Sequence, residues 1–425
     1  MPSIAAIPLM LEKVLPRAID AFPHENSLWD LIKARPVEKV SGRAYKIPQI
    51  LLDGGQSQVF DPGGGTMPRG SAVTPGAGTA SACFTVTARE ITLQDMWGTD
   101  SSEKAIEEFL TKNISGGLKK HYEFQDTQIA GDGSGTLCTV TAINGTTLTV
   151  SNASQLSDLQ VVDVWSALAG TYRGAMQIAG VDFVNNLAVT STAPDSRQTG
   201  VTTQALLTTV LTVGDLLMIH GATGAADTFV RGLKYHNSNS SVASWQGLTP
   251  STYPGKLITP YINAASAGLS RAMIRLGEDL LTRAHGVGSE ELDKLVFVVP
   301  LDQRAAWGQI ATALDMSIFQ EIKGDSTIDP LKKRQVSTMA GRRMVPSNRA
   351  TKQRIDTIIP DHWGRGEVLP TGPFAPFGQS SFMPVGANGM PVTAVDYLWV
   401  SGYNVHVDSR NSSFYIDTLG AVSGY

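Results

Sequence analysis

The segment between residues 53 and 81 constrains this chain more than any other. Two strand-patterned stretches flank it, Arg43-Ala44-Tyr45-Lys46-Ile47-Pro48-Gln49-Ile50-Leu51-Leu52 and Ala82-Cys83-Phe84-Thr85-Val86-Thr87-Ala88-Arg89-Glu90-Ile91. The second alternates apolar residues at Phe84, Val86 and Ala88, the period of a half-covered strand. The intervening stretch is crowded with Gly54-Gly55, Pro62-Gly63-Gly64-Gly65, Pro68, Gly70, Pro75-Gly76 and Gly78. Loops of this length without structure of their own are uncommon in compact domains and are usually functional or disordered. Two readings follow: a floppy surface loop, or an extended two-stranded arm that leaves its own subunit and lies on a neighbour.

A long helix comes next. Asp100 and Glu103 have capping-box spacing, and Ile106, Leu110, Ile114, Leu118 and Tyr122 recur every four residues with Phe109 beside them. The pattern predicts a helix from about Ser101 to Ile129, roughly 40 Å long at ~1.5 Å per residue. Gly116-Gly117 inside it predicts a bend or a close crossing, and Gly131-Asp132-Gly133-Ser134-Gly135 stops it. Upstream, Ile4, Ile7, Leu11, Val14, Leu15 and Ile19 predict a short amphipathic helix over 4–20.

Residues 136–222 are rich in Thr, Val and Leu, poor in charge, and weakly repeated. Thr139 to Val150 reads as a hairpin around a type I′ turn at Asn144-Gly145, and Met176 to Val189 has the same shape. Each is followed by a similar strand, Val161–Trp165 in one copy and Val213–Ile219 in the other. Two copies predict a small closed β-barrel, since a solenoid needs three or more units. Further on, Leu269, Met273, Leu276, Leu280 and Ala284 mark one face of a helix stopped by Gly286. The strand Leu295–Val299 leads to Pro300 and to a helix with Asp302 as N-cap and Ala305, Ile310, Leu314 and Ile318 inward. The tail reads as strands, with Val395, Tyr397 and Trp399 alternating, then Val405 and Val407, then Phe414-Tyr415-Ile416.

Composition narrows the function. The 425 residues carry 34 Lys+Arg against 38 Asp+Glu, a formal −4, so a dedicated nucleic-acid binder is not indicated. Charged residues are 17% of the chain, against roughly 25% in ordinary soluble domains, while Gly contributes 42 positions. Such a chain expects something other than water to cover part of its surface. Apolar runs such as Leu295 to Val299 are strand-sized, far below the ~20 residues of a membrane helix. Glu12 and Lys13 follow the apolar start without a basic leader, so the N-terminus reads as mature sequence. Cys83 and Cys138 alone cannot form a disulfide framework or a Cys-rich zinc site, which suits a reducing cytoplasm.

Motifs for chemistry are absent from the sequence. The histidines, His24, His121, His220, His236, His285, His362 and His406, show no zinc-protease or zinc-finger spacing. Gly131 to Gly135 lacks the order of a nucleophile elbow, a P-loop Lys and the acidic spacing of an EF-hand. Gly63-Gly64-Gly65-Thr66-Met67-Pro68 has glycines but no following helix to present N–H donors to a phosphate. Lys332-Lys333-Arg334, with Arg342-Arg343, allows weak, non-specific contact with nucleic-acid phosphates. No catalytic, cofactor-binding or metal-binding residue is expected.

In its order of parts the chain resembles the major capsid protein of tailed bacteriophages, whose fold is shared with encapsulin shells and the herpesvirus capsid floor. The resemblance rests on that order, on the Gly131 to Gly135 turn after the long helix, and on the segment Gly247-Leu248 to Tyr253-Pro254. It implies an α+β chain with an N-terminal arm at 1–40, an extended β-hairpin loop at 41–95 and the spine helix of a peripheral domain at 96–133. A β-barrel domain would be inserted at 134–225, with a return to the peripheral domain at 226–261, an axial domain at 262–390 and C-terminal strands at 391–425. It further implies self-assembly into hexamers and pentamers of an icosahedral shell around double-stranded DNA, assembled in the host cytoplasm. Scaffolding, portal and decoration proteins are the other implied partners, with no membrane and no cofactor. No local signature maps the Lys–Asn cross-link of some relatives, and none is expected. The rival readings are a β-rich tail or surface fibre protein with a carbohydrate- or host-binding insertion, and an enzyme whose polar constellation the sequence hides.

Overall fold

The computed structural model describes residues 27–52, 54–55, 69–92, 103–167, 170–192, 211–221, 229–241, 244–286, 289–314, 338–373, 382–385 and 394–422. The amphipathic segment at 4–20, the glycines at 63–65, Asp100, Ile318 and the basic run at 332–334 lie outside them. The described residues form three sheets, a closed barrel and a few helices.

Around the glycine-rich segment the strands pair differently from the sequence expectation. Ala44–Leu52 pairs antiparallel with Thr74–Ser81, setting Tyr45 opposite Ala80, Ile47 opposite Gly78 and Ile50 opposite Pro75. The return strand therefore runs through Pro75-Gly76 and Gly78, which the sequence marks as loop. Pro75 lies on the edge strand of a three-stranded sheet, where a missing N–H is tolerated. Gly76 lies under Leu51, whose side chain a Cβ would approach within 2.5 Å. The second flanking segment, Cys83–Thr92, leaves this sheet and pairs with the long strand Ala394–Val407 instead.

That 14-residue strand is the axis of a second sheet. Cys83–Thr92 lies on one side of it, and Trp363–Pro373 followed by Phe382–Val385 on the other. Across one face runs the predicted long helix, Glu103–Ala130, with Ile114, Leu118, Tyr122 and Ile129 buried. Gly116-Gly117 marks a close crossing. A Cβ on Gly117 would come within 2.6 Å of the Tyr397 hydroxyl, which donates to the Asn113 carbonyl at 2.6 Å. The short helix Ser27–Leu31 and the strand Ala34–Arg35, within the stretch expected as the N-terminal arm, are docked here as well. Arg365 holds it: its guanidinium stacks 3.3 Å from the Trp29 ring centroid and donates to the carbonyls of Trp29 and Ile32.

Six strands between Thr136 and Ile219 close into a barrel, and their pairing turns the weak sequence repeat into geometry. The hairpins Thr136–Asn144/Thr147–Val150 and Tyr172–Asp182/Leu187–Thr190 pair with each other through their second strands. Val161–Trp165 and Leu216–Ile219 pair together, and each also pairs with the first strand of the other copy's hairpin. Exchanging the two copies maps this pairing onto itself, so the barrel has pseudo-two-fold symmetry. The first hairpin turn differs in type from the expectation. Gly145 has φ +57 while Thr146 does not enter the left-handed region, the pattern of type II′ rather than I′.

The third sheet has six strands in the order Tyr261–Asn263, Tyr415–Asp417, Ile355–Ile358, Val296–Pro300, Arg342–Ser347 and Thr338–Met339. The helices Arg271–His285 and Leu301–Leu314 pack on it around Phe297, Trp307, Phe414 and Ile416. Ser270 caps the first helix and Gly286, at φ +73, ends it as expected. Its fully buried stripe is Ile274, Gly277 and Leu281; of the expected face, Leu269 is buried and Met273 and Leu280 pack against the core, whereas Leu276 and Ala284 are exposed. Asp302 is not an N-cap, because the second helix begins at Leu301, and its carboxylate accepts from the Gln353 N–H at 3.3 Å. The sheets also cut across the expected boundaries. Trp363–Pro373 and Phe382–Val385, within 262–390, join the sheet of the long strand, while Tyr415–Asp417, within 391–425, joins the six-stranded sheet.

Gly277 shows what the buried stripe requires. A Cβ there would come within 2.1 Å of the buried Phe414 ring, so helix and strand meet only because the residue has no side chain. In an open helix Gly→Ala would gain about 1 kcal/mol. Here Gly277→Ala is expected to destabilise the subunit by about 1–3 kcal/mol through overpacking, measured by chemical denaturation.

Candidate subunit interface

Strand Cys83–Thr92 shows how the subunit orients its apolar surface. Phe84 and Val86 are 53% and 54% exposed, while Thr85 is buried and Thr87 half-buried. The strand thus turns its apolar face away from its own helix. The inward residues join a polar layer between sheet and helix. Thr85 Oγ1 lies 2.5 Å from Ser401 Oγ, Thr87 Oγ1 lies 2.8 Å from His121 Nδ1, and Gln125 Nε2 donates to Ser401 Oγ at 2.6 Å. Buried hydroxyls and imidazoles demand partners, and these supply one another. Outside, Phe84 covers Gly402, where a Cβ would come within 2.6 Å of its ring, and Val86 stands opposite Val400.

The paired strands Ala44–Leu52 and Thr74–Ser81, which flank the glycine-rich segment, repeat the arrangement. Tyr45, Ile47, Gln49 and Leu51 point inward and are buried, whereas Ile50 and Leu52 point outward at 57% and 52% exposure. The inward face is clamped. Tyr45 Oη donates to the Asn404 carbonyl at 3.0 Å, and Gln49 Nε2 donates to Gln246 Oε1 at 2.8 Å and to the Val407 carbonyl at 3.1 Å. The Thr79 N–H donates to the Gln246 carbonyl at 2.8 Å, so the turn around Gly247-Leu248, quoted above only as a motif, seats the arm. A rigidly seated stem with an uncovered apolar outer face is what a contact between subunits requires. On the barrel, Phe183 and Val184 at a hairpin tip are exposed too.

No nucleophile emerges from the polar groups just described. His121 Nε2 lies 3.2 Å from Ser401 Oγ, yet both residues are sealed between helix and sheet. A cleft of about 560 Å³ opens where the barrel meets the end of the long helix, lined among others by Asp132, Cys138, Phe229 and Lys234. Burial pushes the Cys138 thiol up to about 12, which leaves it a thiol. Asp132 is engaged by the Ser134 N–H at 3.0 Å and by Lys234 at 3.5 Å, so Gly131 to Gly135 acts as a helix stop. Of the basic cluster, Arg342 is paired with Glu278 and Asp293. His220 pairs with Asp163 at 2.7 Å. His285 and His362, far apart in sequence, meet beside Glu291, a proximity that no local spacing announces.

No protein-family model matches the sequence, and no curated protein is similar to it in sequence. Solved structures do share its fold. A chain of the cyanophage A-1(L) capsid asymmetric unit superposes with TM-score 0.50 at 8% identity, covering 93% of this chain and 93% of that one. A chain of the capsid of a native GTA particle gives 0.48 at 9% identity, covering 93% and 91%, and one of a virus-like particle from Pyrococcus furiosus gives 0.37 at 7%, covering 96% and 98%. The chain has the fold of a phage capsid subunit, as its order of parts implied.

The buried histidines give the subunit a defined acid response. Burial lowers the pKa of His121 to about 4, of His236 to about 3 and of His406 to about 4. In His236 both nitrogens are committed to the neutral form, Nε2–H donating to the Val405 carbonyl and Nδ1 accepting from Trp245 Nε1. Below the unfolded value near ~6.5, protons bind the unfolded chain first, so this stability is complete above that pH and lost as pH falls toward 4. Asp126 acts in the opposite sense. Burial raises it to about 6 although it accepts the Trp29 N–H at 2.8 Å, so its ionisation costs stability as pH rises from about 4 to 6. Three histidines outweigh one carboxylate. The melting temperature is expected to rise from pH 4 to pH 6.5 in calorimetry, and Asp126→Asn to raise it at pH 7.5 but not at pH 4.

Proposed function

We propose that this chain is a major capsid protein, whose copies assemble into the hexamers and pentamers of an icosahedral phage head enclosing double-stranded DNA. The observation that carries the reading is the outward apolar face of Cys83–Thr92 and of the arm stem, on a fold similar over 93% of the chain to that of a capsid chain. Each uncovered side chain gains by burial at about 25 cal/mol per Å² only when another subunit covers it. Modest contacts of this kind, repeated at every subunit, add through multivalency.

In this reading the stem formed by Ala44–Leu52 and Thr74–Ser81 is the root of the extended loop, Glu103–Ala130 is the spine helix, and the sheet around Ala394–Val407 is the peripheral domain. The six-stranded sheet with its two helices is the axial domain, and the barrel is an inserted domain between spine helix and peripheral domain. A −4 chain confines DNA without gripping it at every subunit. Residues 332–334 and Arg343 supply the remaining weak contact. Scaffolding and portal proteins are partners in assembly, and the exposed barrel tip at Phe183 and Val184 suits a decoration protein. The subunit performs no chemical step, its place is the virion, and its assembly takes place in the host cytoplasm.

The purified protein, alone or co-expressed with a scaffolding partner, is expected to form large closed particles in negative-stain microscopy and fast-sedimenting species in the ultracentrifuge. Val86→Asp combined with Ile50→Asp places charge on exposed positions only, so the subunit should keep its circular dichroism spectrum and lose assembly at least tenfold. A stable monomer under every assembly condition would overturn the reading, and unimpaired assembly of the double variant would overturn the interface.

A further inference from the structure

We propose that His285, Glu291 and His362 form a binding site for a divalent transition-metal ion of the zinc type. The three residues each offer one ligand atom, and these atoms all lie within 4.8 Å of one another. His285 is the last residue of the helix Arg271–His285, Glu291 belongs to the short helix Ser289–Asp293, and His362 ends the 3-10 turn Pro360–His362 that leads into the strand Trp363–Pro373. Two imidazoles and a carboxylate are a donor set that zinc accepts, with water in the fourth position.

Two observations make this more than proximity. The tautomer of His285 is set by Asn411, a buried residue whose Nδ2 donates to the carbonyls of Gly255 at 2.6 Å and Ala284 at 2.8 Å. Those bonds fix the amide's orientation, so Asn411 Oδ1 is the atom that faces His285 Nδ1, at 3.0 Å. Nδ1 therefore carries the proton and Nε2 keeps a free lone pair, the outer hydrogen bond that ordinarily orients a metal-binding histidine. Across the gap, His362 Nε2 is buried without a hydrogen-bond partner, 3.8 Å from Glu291 Oε1. A buried ring nitrogen left unsatisfied costs free energy unless something completes it.

The geometry leaves room for an ion. The two imidazoles stand edge to face with centroids 5.1 Å apart. Tetrahedral ligation at about 2.0–2.1 Å places ligand atoms about 3.3 Å apart, so the donors, 3.8 Å apart for His362 and Glu291 and within 4.8 Å overall, draw together on binding, with the half-exposed Glu291 free to rotate inward. The C-terminal end of the helix Arg271–His285 adds negative potential that favours a cation. Bound there, the ion ties the end of an axial-type helix to the turn that enters the sheet of the long strand. Its role is that of a structural clamp between two layers of the subunit.

The test uses the untagged full chain, stripped with chelator and titrated with Zn²⁺ by calorimetry and with Co²⁺ by visible absorption. The expected result is one ion per subunit with micromolar or tighter affinity, a Co²⁺ spectrum of low coordination number, and a rise in melting temperature of several degrees. Glu291→Gln, at a half-exposed position, should weaken Zn²⁺ at least tenfold, and His362→Gln should weaken it a hundredfold or more. Circular dichroism checks that each variant is folded. Absence of binding at 100-fold excess of Zn²⁺ over protein, or affinity unchanged in both variants, would overturn the site. Because binding is read on the subunit itself, the outcome is independent of whether the chain forms shells.

Discussion

The strand Ala394–Val407 is the constraint on which the rest of the structure depends. Its edges pair with Cys83–Thr92 on one side and with Trp363–Pro373 and Phe382–Val385 on the other. Its groups also receive parts of the chain that lie far away in sequence. The carbonyls of Asn404, Val405 and Val407 accept from Tyr45, His236 and Gln49, and Asn404 Oδ1 accepts the Arg231 N–H. Pairing of this kind is non-local and pays its loop-closure entropy before contacts compensate it. The strand Ala44–Leu52, the helix Glu103–Ala130 and the segment after the barrel all dock on groups of this strand.

A second consequence follows from what lies behind that strand. A sheet over a helix ordinarily buries its apolar face, yet here the layer between Glu103–Ala130 and the sheet includes Thr85, His121, Gln125 and Ser401 in mutual hydrogen bonds. The hydroxyl, imidazole and amide N–H groups of this layer partner one another while Gln125 Oε1 is left without a partner, and Phe84 and Val86 lie on the outside. The same inversion occurs at Ile50 and Leu52 on the arm stem. The chain therefore carries exposed apolar side chains at these four positions, in keeping with its low charge content.

Much of the architecture is legible along the chain, where short-range physics decides it. The period of Ile114, Leu118 and Tyr122 predicts the long helix Glu103–Ala130, and the turn at Gly131 to Gly135 ends it. The repeat in residues 136–222 predicts a closed barrel, because two units that each leave strand edges unpaired can satisfy them only against each other. Ser270 and Gly286 delimit their helix by local capping. Elsewhere the pattern is only partly right. On Arg271–His285 the marked Met273 and Leu280 pack on the core but Leu276 and Ala284 are exposed, and Gly277, invisible to a count of apolar residues, lies against Phe414.

What the sequence determines by itself is therefore period, boundary and repeat: a long helix, an interrupted arm, a doubled β unit and a chain short of charge. Tertiary structure alone decided which strand pairs with which, which side of an alternating strand faces inward, and that His285 and His362 stand edge to face beside Glu291. The reason is physical. Alternation fixes a period of two but not its sign, and the sign at Cys83–Thr92 was set by a polar layer assembled from helix and C-terminal strand. Proximity between residues so far apart in the chain is a property of how the sheets stack, which no local spacing encodes.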